Sequence, residues 1–212
     1  MITIWGRATS ANVQAVMWTA AELGLEVERI DWGGKHGGND DPAFRGMSPA
    51  GLVPALRDGD LTLFESPAMV RYLAARYASD VFRPADPAAF AALDQWAEWA
   101  KSAFSGAVIG GLFTHLIRTK QADRDPAALV RAEAAAAACA RTADARIGDG
   151  PWLGGDALTF ADVMLGHFLY RYYTMDFARA ETPALDAYYA RLRARPAFAA
   201  HVMVSYDGLR AE

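Results

Sequence analysis

The chain has 212 residues, of which 53% are hydrophobic and 22% charged, and its formal net charge is -4. This is enough chain for one large or two compact folded domains, and the composition excludes long disorder. With no basic stripe, a nucleic-acid partner is not expected, and the single cysteine, Cys139, excludes an intramolecular disulfide.

Four histidines (His36, His115, His167 and His201) are scattered without ligand spacing, so no metal is expected. The first residues, Met-Ile-Thr-Ile-Trp, enter a strand pattern directly and lack the charged start and apolar run of a signal peptide. The apolar runs are too short to span a bilayer. These features predict a cytoplasmic protein with no membrane partner.

Residues 2–5 read as a short buried strand. Val13, Val16, Met17, Ala20 and Leu23 then recur at helical spacing from Asn12 to Leu23, and Gly24 is the expected stop. Val27 to Trp32 reads as a second strand, giving a right-handed β-α-β unit. The glycine-rich stretch from Gly33 to Asp41 reads as a loop, placed where such a unit holds a ligand loop. Leu52–Leu56 and Leu61–Phe64 flank Asp58-Gly59-Asp60, a hairpin signal. Ser66 to Ala78 closes the unit as a helix, with Ser66 suited to its N-cap and Pro67 to its first turn.

Residues 79–88 hold two prolines and read as a linker. Beyond them alanine becomes dense and no strand pattern appears; 89–119, 127–147, 160–176 and 183–195 each read as helix. The expected organisation is an α/β domain at 1–78, a linker at 79–88 and an all-helical domain at 89–212.

The segment from Gly51 to Ala74 carries Val53-Pro54, a hairpin and Glu65-Ser66 before a helix, and it resembles the glutathione-site segment of cytosolic glutathione transferases. Trp152 to Asp162 resembles the capping-box segment of the same family's helical domain. Thr159 and Asp162 form its Thr-x-x-Asp and are read as structural. The resemblance covers nearly the whole chain and is to serine- or asparagine-type bacterial members. It implies a thioredoxin-like N-terminal domain followed by an all-α helical-bundle domain. It further implies glutathione as co-substrate, a small hydrophobic electrophile, detoxification chemistry and a homodimer.

The resemblance also implies a cis bond at Val53-Pro54, leaving the N–H and C=O of Val53 to pair with glutathione as a short added strand. An ordinary turn proline would read the same in isolation. Ser66, at a helix N-terminus, would hold the γ-glutamyl carboxylate, and Glu65 would pair with the ammonium. A simple N-cap and a dipole-complementing glutamate are the plainer alternatives. Asn39 falls near the family position for the glycyl carboxylate, with Lys35 and His36 as alternatives.

The thiolate is the nucleophile, so the thiol must be activated. The family's activating group lies between the first strand and helix, here within Gly6 to Gln14. No tyrosine precedes Tyr72 and no cysteine precedes Cys139, which leaves Ser10, Asn12 and Thr9, with Ser10 favoured by alignment of the helix starts. All three are also residue types that cap helices.

The helix at 89–119 is expected to wall an apolar second-substrate pocket with Trp99, Phe104 and Phe113, although most of its aromatic residues belong in a core. Gly106, Gly110 and Gly111 inside that helix open space or mark a bend. Glutathione-dependent lyase, isomerase or disulfide reductase chemistry, and a non-catalytic ligand carrier, are the alternatives on the same scaffold.

Overall fold

The alternating apolar positions of the first strand are met by partners on both sides. In the computed structural model, which describes residues 1–211, four strands form one mixed sheet in the order β2-β1-β3-β4. β1 (Ile2–Trp5) pairs parallel with β2 (Val27–Ile30) and antiparallel with β3 (Ala55–Asp58), which pairs antiparallel with β4 (Leu61–Phe64). The register sets Ile4 beside Leu56 and Leu56 beside Leu63 on one face. α1 (Ala11–Glu22) supplies the parallel crossover, and α3 (Ser66–Tyr77) packs against it.

Local expectations shift in three places. β3 begins at Ala55, because Pro54 has no N–H to offer the ladder. The Val53-Pro54 bond is cis. A short helix, α2 (Pro42–Met47), follows the predicted loop: the Asp41 carboxylate accepts from the N–H groups of Ala43 and Phe44 at 2.8 and 3.2 Å, and Pro42 starts the first turn. At α3 the N-cap is Glu65 rather than Ser66, which is the first helical residue.

Beyond α3 the elements of the described residues are helices. α4 (Pro87–Trp99) runs on into π-helical turns over Ala100–Phe104 and Gly106–Arg118. α5 (Pro126–Ile147), α6 (Phe160–Thr174), α7 (Pro183–Arg193) and α8 (Pro196–His201) follow; the predicted last helix therefore ends early and a further one starts at Pro196. Gly111 has a specific task, since a Cβ there would lie 3.0 Å from Ala132 Cβ on α5. At Gly106 and Gly110 no neighbour constrains the choice of glycine.

Asp162, fully buried at the start of α6, accepts from Thr159 N and Oγ1, Leu153 N and the Tyr188 hydroxyl at 2.7–3.1 Å. Burial raises its pKa, while these donors work against that rise. The capping segment thus fastens α6 to the preceding loop and to α7.

α1 is the hinge of the assembly, packing against α3 in its own domain and against α6 and α8 in the helical one. Trp18 is fully buried, meets Phe198 edge-on at 4.9 Å, and lies so close to α6 that a Cβ on Gly166 would be 2.8 Å from its ring. Glu22 at the end of α1 accepts from Trp18 Nε1 at 2.8 Å and from Arg195 Nε and Nη2 at 2.8 and 2.6 Å. Arg71 on α3 pairs with Asp94 at 2.7 Å and with Glu98 on α4. These contacts fasten the C-terminal half of α1 to the helical domain and α3 to α4.

Candidate active site

Two adjoining clefts open along the line where the sheet domain meets the helical segment, and Asn12, Leu52, Val53 and Lys101 line both. The smaller, about 220 Å³, is closed by Glu65 and Ser66. Ser66 is 2% exposed, and its hydroxyl oxygen is buried without a hydrogen-bond partner among the described residues. Glu65 is the one described non-glycine residue with positive φ, at 70°, a conformation costing about 1–3 kcal/mol that recurs at ligand sites. Val53 precedes the β3 ladder, and its peptide groups have no partner among the described residues. An unpaired peptide edge and an unpartnered hydroxyl at a helix N-terminus suit an extended, carboxylate-bearing ligand.

The larger cleft, about 370 Å³, contains Thr9, Ser10, Asn12 and Asn39. Ser10 occupies the N-cap position of α1, and its C=O accepts from Gln14 N at 3.0 Å, yet its hydroxyl makes no capping bond. That hydroxyl is free to face a ligand. Asn12 Oδ1 instead accepts from Lys101 Nζ at 2.8 Å, and the Thr9 C=O accepts from Arg171 at 2.8 Å. Burial lowers the Lys101 pKa against the pull of Glu65 and Glu98. Asn39 uses its amide on the Gly51 C=O, bracing the loop, while Lys35 and His36 lie outside both clefts.

The far wall differs from the expectation. Phe113 lines the cleft, but Trp99 and Phe104 do not. Phe104 is fully buried against Trp99, Phe168 and Tyr172, and Trp99 packs edge-on against Trp96. The cause is the helix type. The predicted face assumed 3.6 residues per turn, whereas the Ser105 N–H reaches back to the C=O of Ala100, an i→i+5 bond that puts more residues in each turn. Residues four and five apart then share a face, and Lys101, Ser105, Ile109, Phe113 and Arg118 together overhang the cleft.

Nor is that wall simply apolar. Arg7, Lys101, Arg118 and Arg171 all line it, and among the described residues no aspartate or glutamate does. Arg171 on α6 is 2% exposed and donates to Gln14 Oε1 at 2.6 Å and to the Thr9 C=O, both uncharged acceptors. Burial brings its pKa down to about 10, with repulsion from Arg118 and Arg7 adding to the fall. Among the described residues Arg7 and Arg118 form no ion pair, and Arg7 Nε is buried without a partner. Sequence reasoning missed all four cations as site residues. Arg7 sits in the candidate activating segment, but the others approach from remote positions with no local signal.

Models of two families match the chain: the glutathione S-transferase N-terminal domain over residues 1–75 and its C-terminal domain over 121–191. The chain is 37% identical to glutathione S-transferase GstB of Escherichia coli over 96% of its own length and 99% of that protein. It is 31% identical to glutathione S-transferase F13 of Arabidopsis thaliana over 92% of each chain. Among solved structures it is similar to the theta class glutathione S-transferase of Xanthomonas axonopodis pv. citri with glutathione bound, at a TM-score of 0.90 and 44% identity, covering 96% of this chain and 98% of the other.

Proposed function

Because the chain belongs to the glutathione S-transferase family and is a glutathione transferase, we propose that it joins the glutathione sulfur to small electrophiles, with Ser10 as the activating hydroxyl. Glutathione would lie along both clefts. Its γ-glutamyl carboxylate would meet Ser66 and the N-terminus of α3, and its ammonium would meet Glu65. Its cysteinyl peptide groups would pair with Val53, and its glycyl end would point toward Asn39. Residues 1–78 would form the glutathione domain and 89–212 the domain completing the second site, with 79–88 between them. A two-fold dimer accompanies this reading.

Ser10 is supported by its place: alone of the three it occupies the N-cap position of α1, with its hydroxyl not committed to capping, in the larger cleft that Thr9 and Asn12 also line. Lys101 holds the Asn12 side-chain oxygen and Arg171 the Thr9 backbone carbonyl, while the Thr9 hydroxyl and the Asn12 NH2 make no hydrogen bond among the described residues and stay assistants or rivals. A hydrogen bond from Ser10 to the thiolate contributes about 1.5–3 kcal/mol. At about 1.4 kcal/mol per pKa unit, this lowers the bound thiol's pKa by about one to two units. The helix N-terminus adds about 0.3–1 kcal/mol in the same direction. The thiolate then attacks the electrophilic carbon: the C–S bond forms, the leaving group departs with its electron pair, and the thiol proton passes to solvent.

Calorimetric titration with glutathione, run beside a thiolate absorbance titration, tests the assignment. Ser10→Ala should keep the affinity and raise the bound thiol's pKa by about a unit or more. An unchanged thiol titration would transfer the role to Asn12 or Thr9. Failure of the natural chain to bind glutathione would remove the reading altogether.

A further inference from the structure

The larger cleft holds more positive charge than thiol activation requires. Arg118 and Arg171 lie 5.3 and 5.5 Å from the same Phe113 ring, so two guanidiniums flank one apolar side chain of the second-substrate wall. Arg7 reaches the same cleft from the sheet domain. Arg171 is buried, yet its acceptors are an amide oxygen and a peptide carbonyl. A buried charge without an opposite charge is costly, and a bound anion removes that cost.

Resting on the glutathione transferase reading above, we propose that the electrophile carries an anionic group, a carboxylate, held by Arg118 at the rim of the cleft with Arg171 and Arg7 behind it. Ile109, Phe113 and Phe168 accommodate the apolar body beside it. Arg118 suits the recognising role because it is exposed and its guanidinium has no hydrogen bond or ion pair among the described residues. Arg171 suits the supporting one, being fixed by two hydrogen bonds. Electrostatic repulsion among the three lowers the pKa values of Arg7 and Arg171, after burial, and an incoming carboxylate relieves that repulsion.

The test compares a chloronitrobenzoate, with chlorine ortho to the nitro group, against the corresponding neutral carboxamide. In both, the glutathione sulfur forms a bond to the chlorine-bearing carbon and chloride leaves with the bonding pair. The natural chain should favour the acid in kcat/KM by about tenfold or more, the contribution of one charge-assisted contact. Arg118→Ala should collapse that acid-to-amide ratio toward one, and Arg118→Lys should restore part of it. Rising salt should shrink the preference in the natural chain.

Glutathione affinity is measured alongside by calorimetry. If Arg118→Ala weakens glutathione in step with the acid, the cations serve glutathione's own carboxylate and the proposal is overturned. Equal kcat/KM for acid and amide in the natural chain, or turnover of neither with glutathione bound, overturns it as well. Absence of glutathione binding would instead remove the transferase reading on which it rests.

Discussion

Ser66→Ala separates a ligand-binding hydroxyl from a helix cap by the sign of two effects. Ser66 is 2% exposed, it is the first residue of α3 rather than the cap, and its oxygen has no partner within the described protein. Burying such a hydroxyl unpaired costs about 1–3 kcal/mol in protein measurements. Removing it without glutathione should therefore stabilise the fold by about 1 kcal/mol, and the better helix propensity of alanine acts in the same direction. For a chain of this length, that raises Tm by about 2–4 °C. Glutathione should bind more weakly, because a charge-assisted hydrogen bond contributes about 1.5–3 kcal/mol. That loss weakens Kd by about ten- to a hundredfold. Thermal unfolding without ligand and calorimetry with glutathione read the two effects separately. A lowered Tm would mean that the hydroxyl caps the helix after all, and an unchanged Kd would mean that it meets no carboxylate.

Two further perturbations test the frame around the site. His167 is fully buried, its Nδ1 pairs with the Val163 C=O at 2.9 Å, and burial, with nearby Lys101 and Arg171, depresses its pKa to about 3. The unfolded chain takes up that proton near about pH 6.5, so stability is complete above that value and falls as pH drops toward the folded pKa, by up to about 1.4 kcal/mol per unit. Urea unfolding of His167→Gln should show a shallower fall across this window, and identical slopes would exclude His167 as a contributor. Gly166→Val should cost about 1–3 kcal/mol by forcing α6 away from Trp18 and Leu192; a near-natural unfolding midpoint would show that the contact yields freely.

Much of this architecture is written locally. Asp41-Pro42, Asp86-Pro87 and Asp125-Pro126 each start a helix in the same way, the aspartate accepting backbone N–H groups and the proline occupying the first turn. α2 was therefore legible from Asp41-Pro42, although the glycine-rich stretch before it masked the signal. The Asp58-Gly59-Asp60 hairpin and the Thr159–Asp162 box are local in the same sense. So is the adjacency of Glu65 and Ser66, although their roles at the helix start are exchanged: Glu65 occupies the cap position and Ser66 opens the helix.

Capping, turn chemistry and periodicity act over a few residues, so they mark most elements in sequence, though α2, α8 and the π-helical turns were not predicted from them. The thioredoxin-like assignment and the short list of Ser10, Thr9 and Asn12 came with the family resemblance. Packing holds parts of two of the three from a distance: Lys101 engages the Asn12 side-chain oxygen from 89 positions away, and Arg171 engages the Thr9 backbone carbonyl from 162. Only the tertiary structure decided the character of the second cleft. The π-helical turns rotate Phe104 into the core and keep Lys101 and Arg118 over the groove, while α6 delivers Arg171 from below. A 3.6-residue periodicity does not reveal a widened turn, and charges that meet through packing leave no mark in sequence spacing.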